Sequence, residues 1–365
     1  MLKKTLLNLG LIFCSGILLF VIGEASFRAY RFYKDTIRRS QASSQHSSPL
    51  SLDKKLGWRS TENYTSEENE KDAAGVKHSV RYETGNYGFR VFGDPTSKKT
   101  KVFFIGDSFT QGRQVSNDET YYEVLQKELP IEVFAYGGSG YGTLQEYMIL
   151  DEYIDLIKPN VIIWQYCSND FINNSFALEM SSRVNNNGMR RPYMTEEGEV
   201  VYLTPKMFSN LRYVANEYSY FLYFLLSRFD KLAARLSQEN GSIPLEGKTV
   251  ETEIHAQGQE HAGFQSSART TNEIMKMVRK RSGDTKIVTF SADDESPYYE
   301  EFQHISQKNG IEFIDGVPQA VHAAEEKGLT VRAADNAHWN DLGHRLVAEK
   351  IEEHLRTHGV IIHGN

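Results

Sequence analysis

Four short runs of this sequence carry residues able to do acyl-transfer chemistry. In Gly106-Asp107-Ser108-Phe109-Thr110, a serine follows the apolar run KVFFI (101–105) directly. That puts Ser108 at the carboxyl end of an expected strand, where open α/β sheets bind ligands, and makes it a candidate nucleophile. Taken alone, the same serine also fits a helix cap. The glycine-rich run Gly137-Gly138-Ser139-Gly140-Tyr141-Gly142-Thr143 allows close backbone approach to a ligand, and it equally fits an ordinary strand-to-helix turn. It is not a phosphate loop, because no Gly-x-x-x-x-Gly-Lys-Ser/Thr pattern is present. Cys167-Ser168-Asn169-Asp170 follows a third apolar run, and a side-chain amide at that height can donate to a developing oxyanion. Its plain alternative is a turn whose Asn and Asp satisfy local backbone groups. Near the C-terminus, Asp335-Asn336-Ala337-His338 spaces an acid three residues before a histidine. The acid can then hold one imidazole nitrogen while the other takes a proton from serine. His344 competes for that role, but falls on the expected final helix, behind the loop.

These runs need a scaffold that brings strand ends together, and the sequence supplies one. Strands are expected at 101–105, 131–134, 161–164, 286–290 and 311–314. Helices are expected at 119–128, 143–157, 270–281, 297–308 and 342–355. The strands are continuously apolar rather than alternating, which indicates a parallel sheet covered on both faces. Strand–helix alternation of this kind gives an α/β fold, a three-layer α/β/α sandwich with a mostly parallel sheet. Residues from about 171 to 264 break the rhythm and read as an insertion over the active-site face. Within it, the aromatic patch 218–229 (YSYFLYFLLSRF) fits a lid, a lipid-contacting surface or a core helix, the last being preferred.

The order and placement of the four runs resemble the SGNH/GDSL hydrolase superfamily. The likeness covers residues 56 to the C-terminus, apart from the insertion. It implies a flavodoxin-like sandwich, with Ser108 as nucleophile, Asp335 and His338 completing the catalytic set, and an oxyanion hole from the Ser108 and Gly140 N–H groups with the Asn169 amide. No metal or organic cofactor is implied. Leu56-Gly57-Trp58, Asn86-Tyr87-Gly88-Phe89-Arg90 and Gly140-Tyr141-Gly142-Thr143-Leu144-Gln145-Glu146 look like membrane-anchored bacterial members of that group. Such members are commonly linked to O-acyl groups on cell-envelope glycans. Three positions depart from the family pattern: Cys167 stands where a glycine is usual, Ala135 where an asparagine is usual, and Phe109 where the motif's name has leucine. The expected activity is that of a serine esterase on O-acyl, chiefly O-acetyl, esters of a carbohydrate or a small ester. An O-acyltransferase acting on polysaccharide and a non-catalytic glycan-binding envelope protein are the alternatives.

Bulk properties agree with this reading without singling it out. The 365 residues include 40% hydrophobic and 24% charged positions, ordinary values for a globular chain. Twenty Tyr and twenty Phe suit a well-filled core first, and a glycan- or acyl-binding surface second. A net charge of −7 argues against a nucleic-acid partner. The two cysteines, Cys14 and Cys167, suggest neither a disulfide framework nor a zinc site. Residues 5–23 carry no charge and would make roughly 28 Å of helix, near the thickness of a bilayer core. An uncleaved anchor is favoured over a signal peptide, because the run is long and Gly23-Glu24-Ala25 is a poor cleavage site. Residues 1–39 are thus expected to be anchor and flank, 40–55 a Ser-rich linker, and 56–365 the hydrolase domain. Lys3 and Lys4 favour an outward-facing domain, whereas Arg28, Arg31, Lys34, Arg38 and Arg39 count the other way. On the resemblance, the expected location is the bacterial cell membrane, single-pass, with the catalytic domain periplasmic or extracytoplasmic.

Overall fold

The computed structural model describes residues 2–41, 48–182, 184–205, 215, 218–226, 228 and 249–360. The chain groups into two compact units, residues 1–47 with 206–248, and residues 48–205 with 249–365. The first unit contains one long helix, α1 (Leu2–Gln41), and the helical residues 220–226. Glu24 accepts from the backbone N–H of Phe221 at 2.9 Å and of Tyr220 at 3.3 Å, which satisfies the open start of the shorter helix. Phe27 packs on Phe224 at 4.7 Å between ring centres. Tyr218, Tyr223 and Leu225 are exposed, so the described part of the aromatic patch is not the core helix expected of it. The uncharged run 5–23 lies within α1, and several of its side chains fall outside the described residues. Among the described residues, no helix is long and apolar enough to cross a membrane, so the expected spanning helix is not shown.

The second unit opens with two antiparallel hairpins, β1 (Leu50–Asp53) with β2 (Gly57–Ser60), and β3 (Thr65–Lys71) with β4 (Lys77–Glu83). Leu50–Asp53, expected in the linker, is therefore a paired strand. There follow β5 (Val91–Phe92), β6 (Thr100–Gly106), α2 (Ser108–Gln111), α3 (Tyr121–Glu128), β7 (Ile131–Gly137), α4 (Thr143–Ile157) and β8 (Val161–Tyr166). Next are α5 (Asn169–Asn173), α6 (Phe176–Ser181) and a hairpin of β9 (Arg191–Met194) with β10 (Val200–Leu203). The chain closes with α7 (Val250–Gln257), α8 (Ala262–Ser282), β11 (Lys286–Ser291), α9 (Tyr298–Lys308), β12 (Glu312–Phe313), α10 (Val317–Glu326) and α11 (Asp341–Thr357).

Six strands form the central sheet, in the order β12-β11-β8-β6-β7-β5. All neighbours are parallel except β5, which lies antiparallel on β7 at the edge. The strands are apolar throughout because alternate residues enter two different cores. Phe103, Ile105, Ile162 and Trp164 face the layer that includes α4, α8 and α9. Val102, Phe104, Val161 and Ile163 face the layer of α3, α10 and α11. This is the expected three-layer sandwich, mixed rather than wholly parallel.

The strands and helices read from apolar periodicity all occur. The missed ones lack that signal. β3 (TSEENEK) and β4 (KHSVRYE) are polar on most positions. α10 carries Pro318, which reads as a breaker but fits a first helical turn. The supposed insertion is also largely structural, since α5, α6, β9, β10, α7 and the start of α8 belong to the second unit.

His344, the competing histidine, sits on α11 and is buried, with its ring stacked on Tyr121 and Nδ1 accepting from the Tyr121 N–H at 3.3 Å. Burial, with the positive charge of Arg90 nearby, pushes its pKa down to about 3. It is neutral in the folded chain, so its contribution to stability is present above the ordinary value of 6.5 and is lost as pH falls toward 3. Replacing it, as His344→Gln, should flatten the acid limb of a stability–pH curve by up to about 1.4 kcal/mol per pH unit. An unchanged acid limb in chemical unfolding between pH 6.5 and 4 would show that His344 is not buried in its neutral form.

Candidate active site

The nucleophile candidate sits where β6 ends and α2 begins. Asp107 caps α2 by accepting from the Phe109 N–H at 3.0 Å. Gln165, reaching over from β8, presents one oxygen to three donors: the N–H of Asp107 at 3.2 Å, the N–H of Thr110 at 3.1 Å and the Thr110 hydroxyl at 2.9 Å. Gly106 is required by that close approach rather than by a tight turn. A Cβ there would lie 2.3 Å from Gln165 Oε1 and 2.4 Å from Thr110 Oγ1. The result is a fixed backbone with the Ser108 side chain only half-buried.

The loop between α10 and α11 brings the acid and the base to it. His338 Nε2 lies 2.8 Å from Ser108 Oγ, and His338 Nδ1 lies 2.6 Å from Asp335 Oδ2. The other Asp335 oxygen accepts from the N–H groups of Ala337 and His338, each at 3.0 Å. The hydrogen bond to the His338 ring, strengthened by those backbone donors, holds the Asp335 carboxyl well below its usual range. With Asp335 an acceptor at Nδ1, the proton of a neutral imidazole belongs there, leaving Nε2 free to accept from the serine hydroxyl. The imidazole also packs against Phe109, 4.9 Å between ring centres. Ser108, Asp335 and His338 are thus brought together, and His344 is not among them.

The two remaining candidates stand on the flanking strands. Gly140 follows β7 and Asn169 starts α5 after β8, and β7 and β8 are the two neighbours of β6. Gly140 has φ +69°, in the left-handed region, and a Cβ there would lie 2.2 Å from Asn187 Nδ2. One amide hydrogen of Asn169 is given to Asn173 Oδ1 at 3.0 Å, which leaves the second available.

The sequence reading missed several residues that shape this place. The cleft over Ser108 encloses about 310 Å³ and is walled on one side by the β3–β4 hairpin, through Ser66, Glu68, Glu70, Lys71, Val80 and Tyr82. Arg113, Gln114 and Ser139 complete its polar lining. The hairpin is tied to the loop that holds the acid and the base: the Ala334 N–H donates to the Lys71 carbonyl at 3.1 Å, and Asp72 bridges Ala333. Buried Arg90, from the Asn86–Arg90 run, donates to the carbonyls of Gln111 at 2.7 Å and Gly112 at 2.9 Å, and so braces the end of α2. Arg90 and Ser139 lie in runs already singled out, without these roles being read there, and the hairpin residues have no motif of their own. Among the described residues, Glu312, His354 and His358 place metal-ligating atoms within 4.8 Å of one another. Glu312 is already bonded there to His354 at 2.5 Å and to Lys286, so the group is closed by its own hydrogen bonds.

Comparison with known proteins identifies the family of the chain. The model of the GDSL-like lipase/acylhydrolase family matches residues 102–351. No curated protein matches the chain. Among solved structures, the chain is similar to the acetyl xylan esterase AlAXEase at 14% identity and a TM-score of 0.38, over 70% of this chain and 99% of that one. It is likewise similar to a lipase/acylhydrolase from Enterococcus faecalis at 12% identity and a TM-score of 0.38, over 71% of this chain and 96% of that one. A family 3 carbohydrate esterase of Clostridium thermocellum gives 12%, 0.38, 71% and 96% in the same order. Likenesses of this degree bear on neither substrate nor mechanism.

Cys167, the unusual residue at the end of β8, is buried, and its thiol donates to Asp293 Oδ2 at 3.0 Å. Burial, reinforced by the nearby carboxyls of Asp293, Asp107 and Asp170, pushes the thiol pKa well up. Iodoacetamide at pH 8 should therefore alkylate Cys167 in the native chain on the order of a hundredfold more slowly than in urea. Rapid labelling of native Cys167, mapped by mass spectrometry, would contradict that environment.

Proposed function

The chain belongs to the GDSL-like lipase/acylhydrolase family and is an ester hydrolase, and from that premise we propose that it is a serine esterase removing short acyl groups, chiefly acetyl, from hydroxyls of a cell-envelope glycan. The observation that carries the reading is the chain of contacts from Asp335 to His338 to Ser108, at 2.6 and 2.8 Å. In this mechanism Ser108 Oγ attacks the ester carbonyl as His338 Nε2 takes its proton, and Asp335 steadies the imidazolium that forms. The oxyanion is met by the N–H groups of Ser108 and Gly140 and by the free amide hydrogen of Asn169. His338 returns the proton to the departing alcohol, and the acyl group stays on Ser108. A water molecule, deprotonated by His338, then releases it.

The preference for a short acyl group rests on the lining of the cleft. Glu68, Glu70, Lys71 and Arg113 stand beside Ser108, and Val80, Ala333 and Ala334 contribute little apolar wall. A long acyl chain needs a continuous apolar slot, whereas a sugar needs scattered polar partners. For location, we rely on the uncharged run 5–23 and the Ser-rich residues 40–48 that follow it. Together they would tether the second unit to a membrane, with the cleft facing the envelope.

The full-length chain in mild detergent should hydrolyse p-nitrophenyl acetate faster than the octanoate and palmitate esters. Ser108→Ala and His338→Ala should each lower kcat by roughly three orders of magnitude or more. Asn169→Ala should lower it about 10²–10³-fold. Near-normal turnover in Ser108→Ala would reject the nucleophile, and faster palmitate hydrolysis would reject the acetyl preference. Loss of hydrolysis in favour of acyl transfer, when a soluble sugar acceptor is in excess, would convert the reading to an O-acyltransferase.

A further inference from the structure

Two peripheral hairpins reach the peptide units on either side of Gly140, and neither contact has a part in the chemistry described so far. The Ser139 carbonyl and the Gly140 N–H belong to one planar trans peptide unit and point in opposite directions. Trp58, on β2, donates from Nε1 to that carbonyl at 2.9 Å. Fixing the carbonyl fixes the direction of the N–H. The next peptide unit is held as well: the Gly140 carbonyl accepts from Arg191, on β9, and from Asn187 Nδ2 at 3.2 Å. Arg191 lies over the Trp58 ring, 4.8 Å from its centre, so the two holds lean on each other.

The same guanidinium extends to the other flank of the site. It donates to the Asn173 carbonyl at 3.3 Å, and Asn173 Oδ1 is the group that receives the Asn169 amide at 3.0 Å. Arg191 is paired with Glu179 at 3.2 Å, and both side chains have no exposed surface. Tyr193 donates to that carboxylate at 2.8 Å. A wholly buried ion pair is a poor device for stability, because stripping water from two charges offsets most of their attraction. What this one does is touch the Gly140 loop and the end of α5 at once.

We propose that Arg191, leaning on Trp58, is the positioning residue of the oxyanion hole, orienting the Gly140 N–H and the Asn169 amide toward one carbonyl oxygen. The proposal rests on the serine esterase reading and assigns to the segment 184–205 the task of aligning donors it does not itself supply. Two donors on separate loops stabilise an oxyanion only if both are aimed before the reaction begins. A planar five-donor fork can bridge two carbonyls, a carboxylate and an indole face, whereas an ammonium cannot.

The test uses the full-length chain with Arg191→Lys, which keeps the charge beside Glu179, and Trp58→Phe, which keeps an aromatic ring but removes the N–H together with part of the indole. Each is followed by kcat and KM on p-nitrophenyl acetate, by the rate of Ser108 phosphonylation with a fluorophosphonate, and by thermal unfolding. Turnover is expressed per site titrated by the fluorophosphonate, so partly unfolded material does not count. The expected result is a kcat lowered about 10- to 100-fold in Arg191→Lys. KM should stay within about twofold of wild type, with phosphonylation slowed in parallel. Trp58→Phe should show the same split, smaller in size. Made in the Asn169→Ala background, Arg191→Lys should have a reduced effect, since one of its two clients is already gone. Turnover per titrated site equal to wild type in both variants would overturn the positioning role while leaving the esterase reading intact. If Arg191→Lys does not fold, an unchanged kcat in folded Trp58→Phe overturns it alone. A wild-type chain that neither labels nor hydrolyses ester would sink the serine reading, and this proposal with it.

Discussion

The hydrogen bond between Ser108 Oγ and His338 Nε2 joins residues 230 positions apart, and much of the second unit is arranged so that it can form. A contact of this kind tolerates errors of only about half an ångström, so both ends need rigid supports. On the serine side, the support is the single Gln165 oxygen that gathers three donors from the turn after β6. On the histidine side, the loop is closed on itself by the Ala333 N–H bonded to the His338 carbonyl at 2.9 Å. It is closed again by the bridge from Arg332 to Trp339. Phe109, the residue after Ser108, packs on both His338 and Trp339 and joins the two supports directly.

The carboxyl groups of the site are sorted by environment. Asp335 is partly exposed and accepts from an imidazole and two backbone donors, and its carboxyl is held down and charged. Asp107, Glu146 and Asp170 have no exposed surface, and burial pushes each of their carboxyls upward. Each has an oxygen with no protein partner. Burial thus disfavours negative charge behind the ends of β6 and β8. Asp335, by contrast, is the carboxylate bonded to the His338 ring.

What was legible in the sequence is what local chemistry encodes. Continuous apolar runs gave β6, β7, β8 and β11, because each strand serves two cores through alternate residues. Of the residues in the four runs, Ser108, Asp335 and His338 are in contact, and Gly140 and Asn169 lie just beyond the ends of the neighbouring strands. What was not legible depends on distant pairing. Nothing in the polar residues of β3 says that they will pair with β4 and wall the cleft, because the wall consists of side chains from both strands. Trp58 read as part of a subgroup signature, yet its partner is the Ser139 carbonyl, 81 residues away. Arg191 carried no signal at all in a segment read as an insertion. An arginine between a methionine-containing loop and a proline looks solvent-exposed until the fold buries it.

These long-range contacts explain why the peripheral hairpins belong to the hydrolase unit and are more than decoration on it. A sandwich sheet places the ends of β6, β7 and β8 side by side, but it leaves the direction of each loop beyond those ends undetermined. The loop after β7 is the most exposed to that freedom, since Gly137, Gly138, Gly140 and Gly142 supply little side-chain packing of their own. Its order comes from outside. The Leu56 carbonyl accepts from Gln145 at 2.6 Å, the Trp58 carbonyl accepts from the Tyr141 hydroxyl at 2.6 Å, and the β9 hairpin adds Arg191 from the other side. Glycine allows the loop to come close to a substrate, and the flanking hairpins give it the rigidity that glycine removes. The two requirements conflict within any one segment of chain, and this fold meets them by assigning them to different ones.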